Sequence, residues 1–502
     1  MPIGWRRMVR IDRTAESTGM QPTTGCLENE HGDHEARAQR TDGEAMPRPP
    51  PASARATERG AQTEFGQNSN LCREEYRMTS RRWLSALSCC LALAASQPGS
   101  AAQADAPARW VASWATALQP IPDLAAPPPL YRAPDVAGRT VRQIVYPTLA
   151  GKAVRIRVSN AYGKTPLAIG EMNIGRSAGG AAVAAGSSTA VTFGGRRETE
   201  VPPGQERDSD PVAYDVRAGE PYALSLYLGS RQTMTVWHRV SNQVNYVSAP
   251  GNHTGDASPD AFRTRFTQSA WIAELAVEVQ QPGAAAIAAV GDSITDGLRS
   301  SLNRNRRWPD ALAARLERAG AGDIGVANLG ISGNRLLSDS RCYGIALERR
   351  FERDVLTRAG VKVAVLLIGI NDINFAAMPA RSGLDCDAPH TRVDAQALIA
   401  GYRRVIAAAH ARGVAVFGAT LTPASLPPAR EAIRREVNEW IRTSGAFDGV
   451  VDFDAALRDP AKPSTLLRRY NSGDDIHPSD AGYAAMAEAV PLERLAAAAG
   501  RR

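Results

Sequence analysis

Ser293, in the run Gly291-Asp292-Ser293-Ile294-Thr295-Asp296-Gly297, and His477, in Asp474-Asp475-Ile476-His477-Pro478, are the residues of this chain best placed by type and context to do chemistry. The serine follows an apolar run, Ala285-Ala286-Ile287-Ala288-Ala289-Val290, and so falls where a buried strand turns into a loop. A carboxylate three residues ahead of a histidine can fold back onto Nδ1 and fix the ring tautomer, which leaves Nε2 to take a proton from a hydroxyl. Nucleophile, base and orienting acid together point to acyl transfer through an activated serine. Asp474 is the first choice for the orienting role, with Asp475 its neighbour and competitor. An Asp-x-x-His pair could also hold a metal, but no Cys/His/carboxylate cluster completes such a site, and neither a metal nor an organic cofactor is expected.

Two further segments offer groups that could stabilise a developing oxyanion. In Asn328-Leu329-Gly330-Ile331-Ser332-Gly333-Asn334 the glycines permit close backbone approach, and the Gly333 N–H is a candidate donor. In Gly369-Ile370-Asn371-Asp372 a carboxamide follows the apolar run 361–368 directly, and its NH₂ could donate to the same oxygen. The N–H of Ser293 itself would be a third donor. Taken singly, each segment has an ordinary alternative: a helix-capping serine, a glycine turn, an asparagine bonding its own backbone.

The elements that must carry these residues divide the chain in two. From Trp110 to about Gln281 the pattern has period two, as in Val154-Arg155-Ile156-Arg157-Val158-Ser159, Leu224-Ser225-Leu226-Tyr227-Leu228 and Leu275-Ala276-Val277-Glu278-Val279. These read as half-buried antiparallel strands separated by Gly/Pro/Ser/Asn turns, giving an all-β sandwich of jelly-roll type over 105–283. After Gln281-Pro282-Gly283, apolar strands alternate with amphipathic helices. Strands are expected at 285–290, 324–329, 361–368, 414–419 and 450–453, and helices near 309–319, 347–358, 395–412, 430–443 and 480–498. Such alternation means a parallel sheet covered on both faces, here over 284–502, with ligands at the carboxyl ends of its strands. Ser293, Gly333 and Asn371 all fall at such ends.

With four motif blocks in order, each at a predicted strand end, the region 284–498 resembles the SGNH (GDSL) hydrolase family. The blocks are Gly291-Asp292-Ser293, Ile331-Ser332-Gly333-Asn334, Gly369-Ile370-Asn371-Asp372 and Asp474-Asp475-Ile476-His477-Pro478; Ile294 conservatively replaces the family's usual Leu. The resemblance implies a three-layer, flavodoxin-like parallel sheet. It implies Ser293 as nucleophile, His477 as general base, Asp474 as its orienter, and Ser293 N–H, Gly333 N–H and the Asn371 side chain as oxyanion hole. Trp110-Val111-Ala112-Ser113-Trp114-Ala115 and the β-rich region also resemble the N-terminal half of a secreted two-domain branch of that family.

Residues 1–77 are polar and patternless, too poor in apolar surface to offset their ordering entropy. Met78 then opens a basic stretch through Arg82, an apolar run from Trp83 to Ala95, and Ala102-Gln103-Ala104, the three parts of a secretory signal peptide. The reading is a start at Met78, cleavage after Ala104, and an over-extended gene model ahead of it; a disordered region followed by a weak apolar helix or membrane anchor is the alternative. A lipoprotein signal built on Cys89 fits poorly, because Ala86-Leu87-Ser88 is a mediocre approach to it. Export to the periplasm or beyond would leave only Cys342 and Cys386 of six cysteines, and in an oxidising compartment these are expected to pair.

The net charge of +7 raises a nucleic-acid reading, but Arg is interspersed with acids along amphipathic segments, which describes solvated faces. No apolar run reaches the ~18 residues of a membrane span. The expected function is an exported serine esterase acting on small esters or acylated polysaccharide. A lipase or lysophospholipase, and a catalytically silent carbohydrate-binding protein, are the competing readings, and the sequence does not set the oligomeric state. The loop 372–392 carries Arg381, Asp385, Asp387 and His390 rather than an apolar lid, while Trp237, His238, Tyr246 and His253 are aromatic or imidazole groups that could reach the cleft or simply pack. N-terminal sequencing of the exported protein is expected to begin near Asp105; recovery of residues 1–77 in the mature protein would refute the signal peptide.

Overall fold

The computed structural model describes residues 109–501, and the extension and signal peptide read from the sequence lie outside them. The β-rich region forms a two-stranded ribbon, Gln119–Pro120 with Val236–Trp237, and two larger antiparallel sheets. In one, strands Arg109–Ala115, Ile272–Val279, Gly151–Ser159 and Val212–Val216 lie side by side in that order. In the other the order is Thr264–Phe266, Asn245–Pro250, Arg139–Val145, Tyr222–Leu228 and Leu167–Gly179, extended by shorter strands.

Gly151–Ser159 alternates buried and part-exposed residues from Val154 to Val158, as its sequence pattern predicts. Tyr222–Leu228 and Ile272–Val279 do not: they are covered on both faces. Ala223 of the former lies in a second, small core with Ile144, Ala181, Val183, Tyr246 and Phe262 on the outside of its sheet. Glu274 of the latter faces the α/β region, where it accepts from Ala359 N at 2.8 Å and lies 3.6 Å from the buried Arg358 guanidinium. Period two marks which way a side chain points; it does not reveal what later covers the polar face.

Antiparallel pairing gives way to parallel pairing across Pro282-Gly283. Five parallel strands follow, Ala285–Gly291, Ile324–Gly330, Val361–Leu367, Ala415–Ala419 and Gly449–Val451, with spatial order second, first, third, fourth, fifth. This is the flavodoxin-like order, and it places the first strand between the second and the third, where ligands of such sheets bind. Helices Trp308–Arg318, Ala395–His410, Pro428–Thr443 and Asp480–Ala489 cover the sheet. Three expected elements are interrupted. The 347–358 helix is an α-turn, Leu347–Phe351, continued by a wider π-turn, Glu352–Leu356. Pro491 splits the last helix into Asp480–Ala489 and Leu492–Ala498, since it cannot donate to the preceding turn. The strand expected at 450–453 ends at Val451, because the Asp452 side chain caps a short helix, Phe453–Leu457.

The two regions share one apolar core and belong to one compact unit. Strand Ile324–Gly330 is the edge of the parallel sheet, and the β-rich region covers it. Thr148 Oγ1 accepts from Val326 N at 2.8 Å and donates to Ser113 O at 2.7 Å, while a Cβ on Gly325 would stand 2.5 Å from Ala112 O.

Cys342 and Cys386 form a disulfide, 44 residues apart in sequence. It joins the loop after the second parallel strand to the loop after the third, so it staples the segments that follow two of the motif blocks. Closing a loop of that length is worth about 4 kcal/mol in the chain-entropy model. Cys342→Ala/Cys386→Ala is therefore expected to unfold at lower denaturant with a loss of roughly 2–4 kcal/mol. An unchanged midpoint in oxidised and reduced protein would refute that contribution.

Candidate active site

The first parallel strand runs buried throughout and ends on Gly291, where a Cβ would stand 2.2 Å from Leu367 O. Only glycine lets the strand end this close to its neighbour. Asp292 then caps the short helix Ser293–Asp296 by accepting from Ile294 N at 3.0 Å. Ser293 thus sits at the first position of a helical turn, its hydroxyl at the carboxyl end of the sheet.

His477 arrives from the opposite end of the chain, in the loop before helix Asp480–Ala489, whose first turn Ser479 caps. Its Nε2 is 2.8 Å from Ser293 Oγ and its Nδ1 is 2.8 Å from Asp474 Oδ2. Asp474 Oδ1 accepts from the backbone N–H of His477 at 2.8 Å and of Ile476 at 3.1 Å. Asp475 is not a competitor in space: it takes a left-handed conformation, with φ 65°, and accepts from Asn471 instead. Burial works against charge on Asp474, yet the bonds from the His477 ring and backbone hold its carboxyl well below the usual carboxylate range. Arg299, which the sequence did not single out, adds a donor to Asp474 Oδ2 at 3.1 Å from a left-handed turn with φ 76°.

The two other blocks meet the serine from neighbouring strands. Gly333 has φ 84°, and a Cβ there would overlap the Tyr343 ring at 2.4 Å, so both conformation and space require glycine. Among the described residues neither Gly333 N–H nor Ser293 N–H has a hydrogen-bond acceptor. Asn371 spends one amide hydrogen on Asn334 O at 3.0 Å, which fixes the carboxamide and leaves the second hydrogen. Asp372, the next residue, accepts from Leu336 N and Leu337 N at 2.8 and 3.0 Å and so ties the third block to the second.

Beneath the site lies Arg350, fully buried. Its guanidinium donates to Gly291 O, Leu329 O and Asn334 Oδ1 at 3.1, 3.1 and 3.0 Å, and to Asp354 at 3.2 Å. It therefore gathers the ends of the first and second strands and the second block around one cation. Neither Arg350 nor Asp354 stood out in the sequence, because a helical arginine reads as a solvated face until the fold turns it inward. The side chains that were singled out in the β-rich region have mixed fates. Trp237 and Tyr246 are packing residues, and His253 pairs with Asp256 at 2.8 Å. His238 instead reaches Asp296 at 2.9 Å, beside the serine turn. In the loop 372–392, His390 pairs with Asp385 at 2.8 Å and Arg381 with Asp387 at 3.3 Å.

This arrangement can move a proton from a hydroxyl to an imidazole held by a carboxylate, beside N–H groups free to bind an oxyanion. Residues 289–485 match the GDSL-like Lipase/Acylhydrolase family. Several solved structures are similar over this part of the chain. An acetylxylan esterase from Geobacillus stearothermophilus, crystallised as a catalytic mutant, is 21% identical with a TM-score of 0.31, covering 43% of this chain and 95% of its own. The native aryl esterase of M. smegmatis is 15% identical with a TM-score of 0.33, covering 42% and 98%. An acetyl xylan esterase, AlAXEase, is 20% identical with a TM-score of 0.30, covering 41% and 96%. No curated protein matches the chain.

Asp292 yields a pH prediction. Burial, reinforced by the carboxylates of Asp372 and Asp296, pushes its carboxyl up to about 7, against the opposing Ile294 N–H and Arg350. Below about pH 4 both folded and unfolded chains hold this proton, and ionisation has no effect on stability. Between about pH 4 and 7 the unfolded carboxyl ionises freely while the folded one resists, so Asp292 lowers stability progressively and fully above that window. Asp292→Asn keeps a cap acceptor for Ile294 N and removes the titration. The Tm of the variant relative to wild type is expected to rise from pH 4 to pH 8; a difference constant with pH would show that Asp292 ionises as easily folded as unfolded.

Proposed function

We propose that this protein is an exported serine esterase that releases small acyl groups from a polar, carbohydrate-type alcohol. The observation that carries the hydrolase reading is the continuous series Ser293 Oγ, His477 Nε2, His477 Nδ1, Asp474 Oδ2, each link 2.8 Å. Ser293 attacks the ester carbonyl as His477 takes its proton, and Asp474 stabilises the imidazolium that forms. The tetrahedral oxyanion is met by Ser293 N–H, Gly333 N–H and the second Asn371 hydrogen. His477 then protonates the leaving alcohol, and water, activated the same way, releases the acyl group from Ser293. Removing one such donor typically costs about 3–4 kcal/mol of barrier, so Asn371→Ala is expected to lower kcat about 100- to 1000-fold.

The substrate class rests on the walls of the site. Tyr343 stands against Gly333 and stacks on Phe375 with centroids 5.5 Å apart, and the neighbouring 372–392 loop is charged and pinned by the disulfide. Aromatic faces with a polar fringe suit the apolar face of a sugar ring better than a long acyl chain. Export is supported by the disulfide, which belongs to an oxidising compartment. No helix among the described residues is long and apolar enough to cross a membrane.

A fluorophosphonate probe is expected to label the wild type and not Ser293→Ala. Folded wild-type protein that resists labelling would sink the serine mechanism. On p-nitrophenyl esters kcat/KM is expected to fall as the acyl chain lengthens beyond butyrate, with acetate released from acetylated xylan. A preference for chains of eight or more carbons would replace this reading with a lipase.

A further inference from the structure

His238 lies in the β-rich region, just after the short strand Val236–Trp237, and its side chain is buried. Its Nδ1 faces Ala117 O at 2.9 Å, and its Nε2 faces both Asp296 Oδ1 at 2.9 Å and Val240 O at 3.0 Å. All three partners are acceptors, so both ring nitrogens must carry protons. A neutral ring would set a lone pair against an acceptor oxygen. The electrostatics agree: burial pulls the pKa down, but the Asp296 charge and the bonds to Asp296, Ala117 and Val240 outweigh it, and the net shift is upward. Arg307 with its partner Asp310, Asp292, Tyr483 and Tyr146 are among the other titratable groups around this pair.

Asp296 ends the helical turn that Ser293 begins. While Oδ1 holds His238, Oδ2 accepts from Ser332 N at 2.8 Å and from the Ser332 hydroxyl. Ser332 immediately precedes Gly333. The turn is also pressed onto the second strand, since a Cβ on Gly330 would lie 2.3 Å from Asp296 N. A single carboxylate thus joins the nucleophile's turn to the turn that carries an oxyanion donor, and a cation from the β-rich region holds that carboxylate.

We propose that His238 is a positioning residue for ester hydrolysis: it fixes Asp296, and through Asp296 the Ser332–Gly333 turn, so that the β-rich region completes the oxyanion site. The proposal rests on the reading of Gly333 N–H as an oxyanion donor. It assigns the β-rich region a part in the chemical step, where an appended binding module would act only on substrate affinity.

The test uses the whole protein, with rates expressed per fluorophosphonate-titrated site so that misfolded protein does not count. His238→Ala is expected to lower kcat on p-nitrophenyl acetate about 10- to 100-fold with KM changed by less than about threefold, a partial loss of donor alignment. His238→Gln, whose amide can still donate to Asp296, is expected to recover part of that loss and stands in should the alanine variant not fold. His253→Gln, in the same region but paired with Asp256 away from the serine turn, is expected to match wild type. In protein labelled with ¹⁵N-histidine, the signals that disappear in His238→Gln are expected to be those of an imidazolium at pH 7.5. Wild-type kcat per titrated site in both His238 variants, or a neutral ring at that pH, would overturn the proposal while leaving the serine mechanism intact. Failure of wild type to label would instead strike the underlying esterase reading.

Discussion

One buried cation organises this site. The guanidinium of Arg350 has no route to water, and its hydrogens go to the carbonyls that end two adjacent strands, to the Asn334 side chain and to Asp354. Carbonyls at the carboxyl ends of parallel strands leave the regular ladder once the strands diverge into loops, and burying them unpaired would be costly. Arg350 donates to both carbonyls, at Gly291 alongside the Ile331 N–H that reaches the same oxygen at 3.1 Å. Removing it would take a buried donor from all four groups at once, although Asp354 would keep Arg353 and Gly291 O would keep the Ile331 N–H, a larger perturbation than the loss of one surface ion pair.

Around that cation the site combines rigidity with adverse electrostatics. Asp292 and Asp372 are buried carboxyls pushed up to about 7 and about 6; Asp372 spends both oxygens, and Asp292 one, on backbone N–H groups of the motif loops. One oxygen of Asp292 has no partner among the described residues. Such groups lower stability, and their value lies in fixing loops that would otherwise choose among several turn conformations. Asp474 is the opposite case, well satisfied by the His477 ring and by backbone N–H groups, which hold its carboxyl well below the usual carboxylate range.

The sequence disclosed the parts of this structure that follow from local chemistry. Apolar runs followed by Gly-Asp-Ser, Gly-Asn or Asn-Asp located the strand ends, and the parallel sheet followed from alternation of strand and helix. Asp474 and His477 could be paired at a distance because their spacing alone permits the contact. What stayed hidden depended on long-range packing. Arg350 looked like a surface residue of an amphipathic helix, Asp296 like one more polar turn residue, and Arg299 like a loop cation. His238 stood among four aromatic or imidazole side chains with nothing local to separate it from Trp237, which only packs. The choice between Asp474 and Asp475 needed the backbone, since a left-handed φ at Asp475 turns its carboxylate toward Asn471.

The covered edge of the parallel sheet has a consequence for how this protein can be handled and how it could have arisen. Strand Ile324–Gly330 offers an unpaired backbone rim, and an exposed, flat, apolar rim is a template for strands of other chains. Here Thr148 occupies the rim at Val326 and the strand Arg109–Ala115 lies against Gly325, so the β-rich region acts as a cap against intermolecular pairing. Cutting the chain at the Pro282-Gly283 turn would free that rim together with the apolar surface now shared between the regions. The excised α/β half would be drawn toward aggregation even with every motif residue present, and the two halves are best regarded as one inheritance unit.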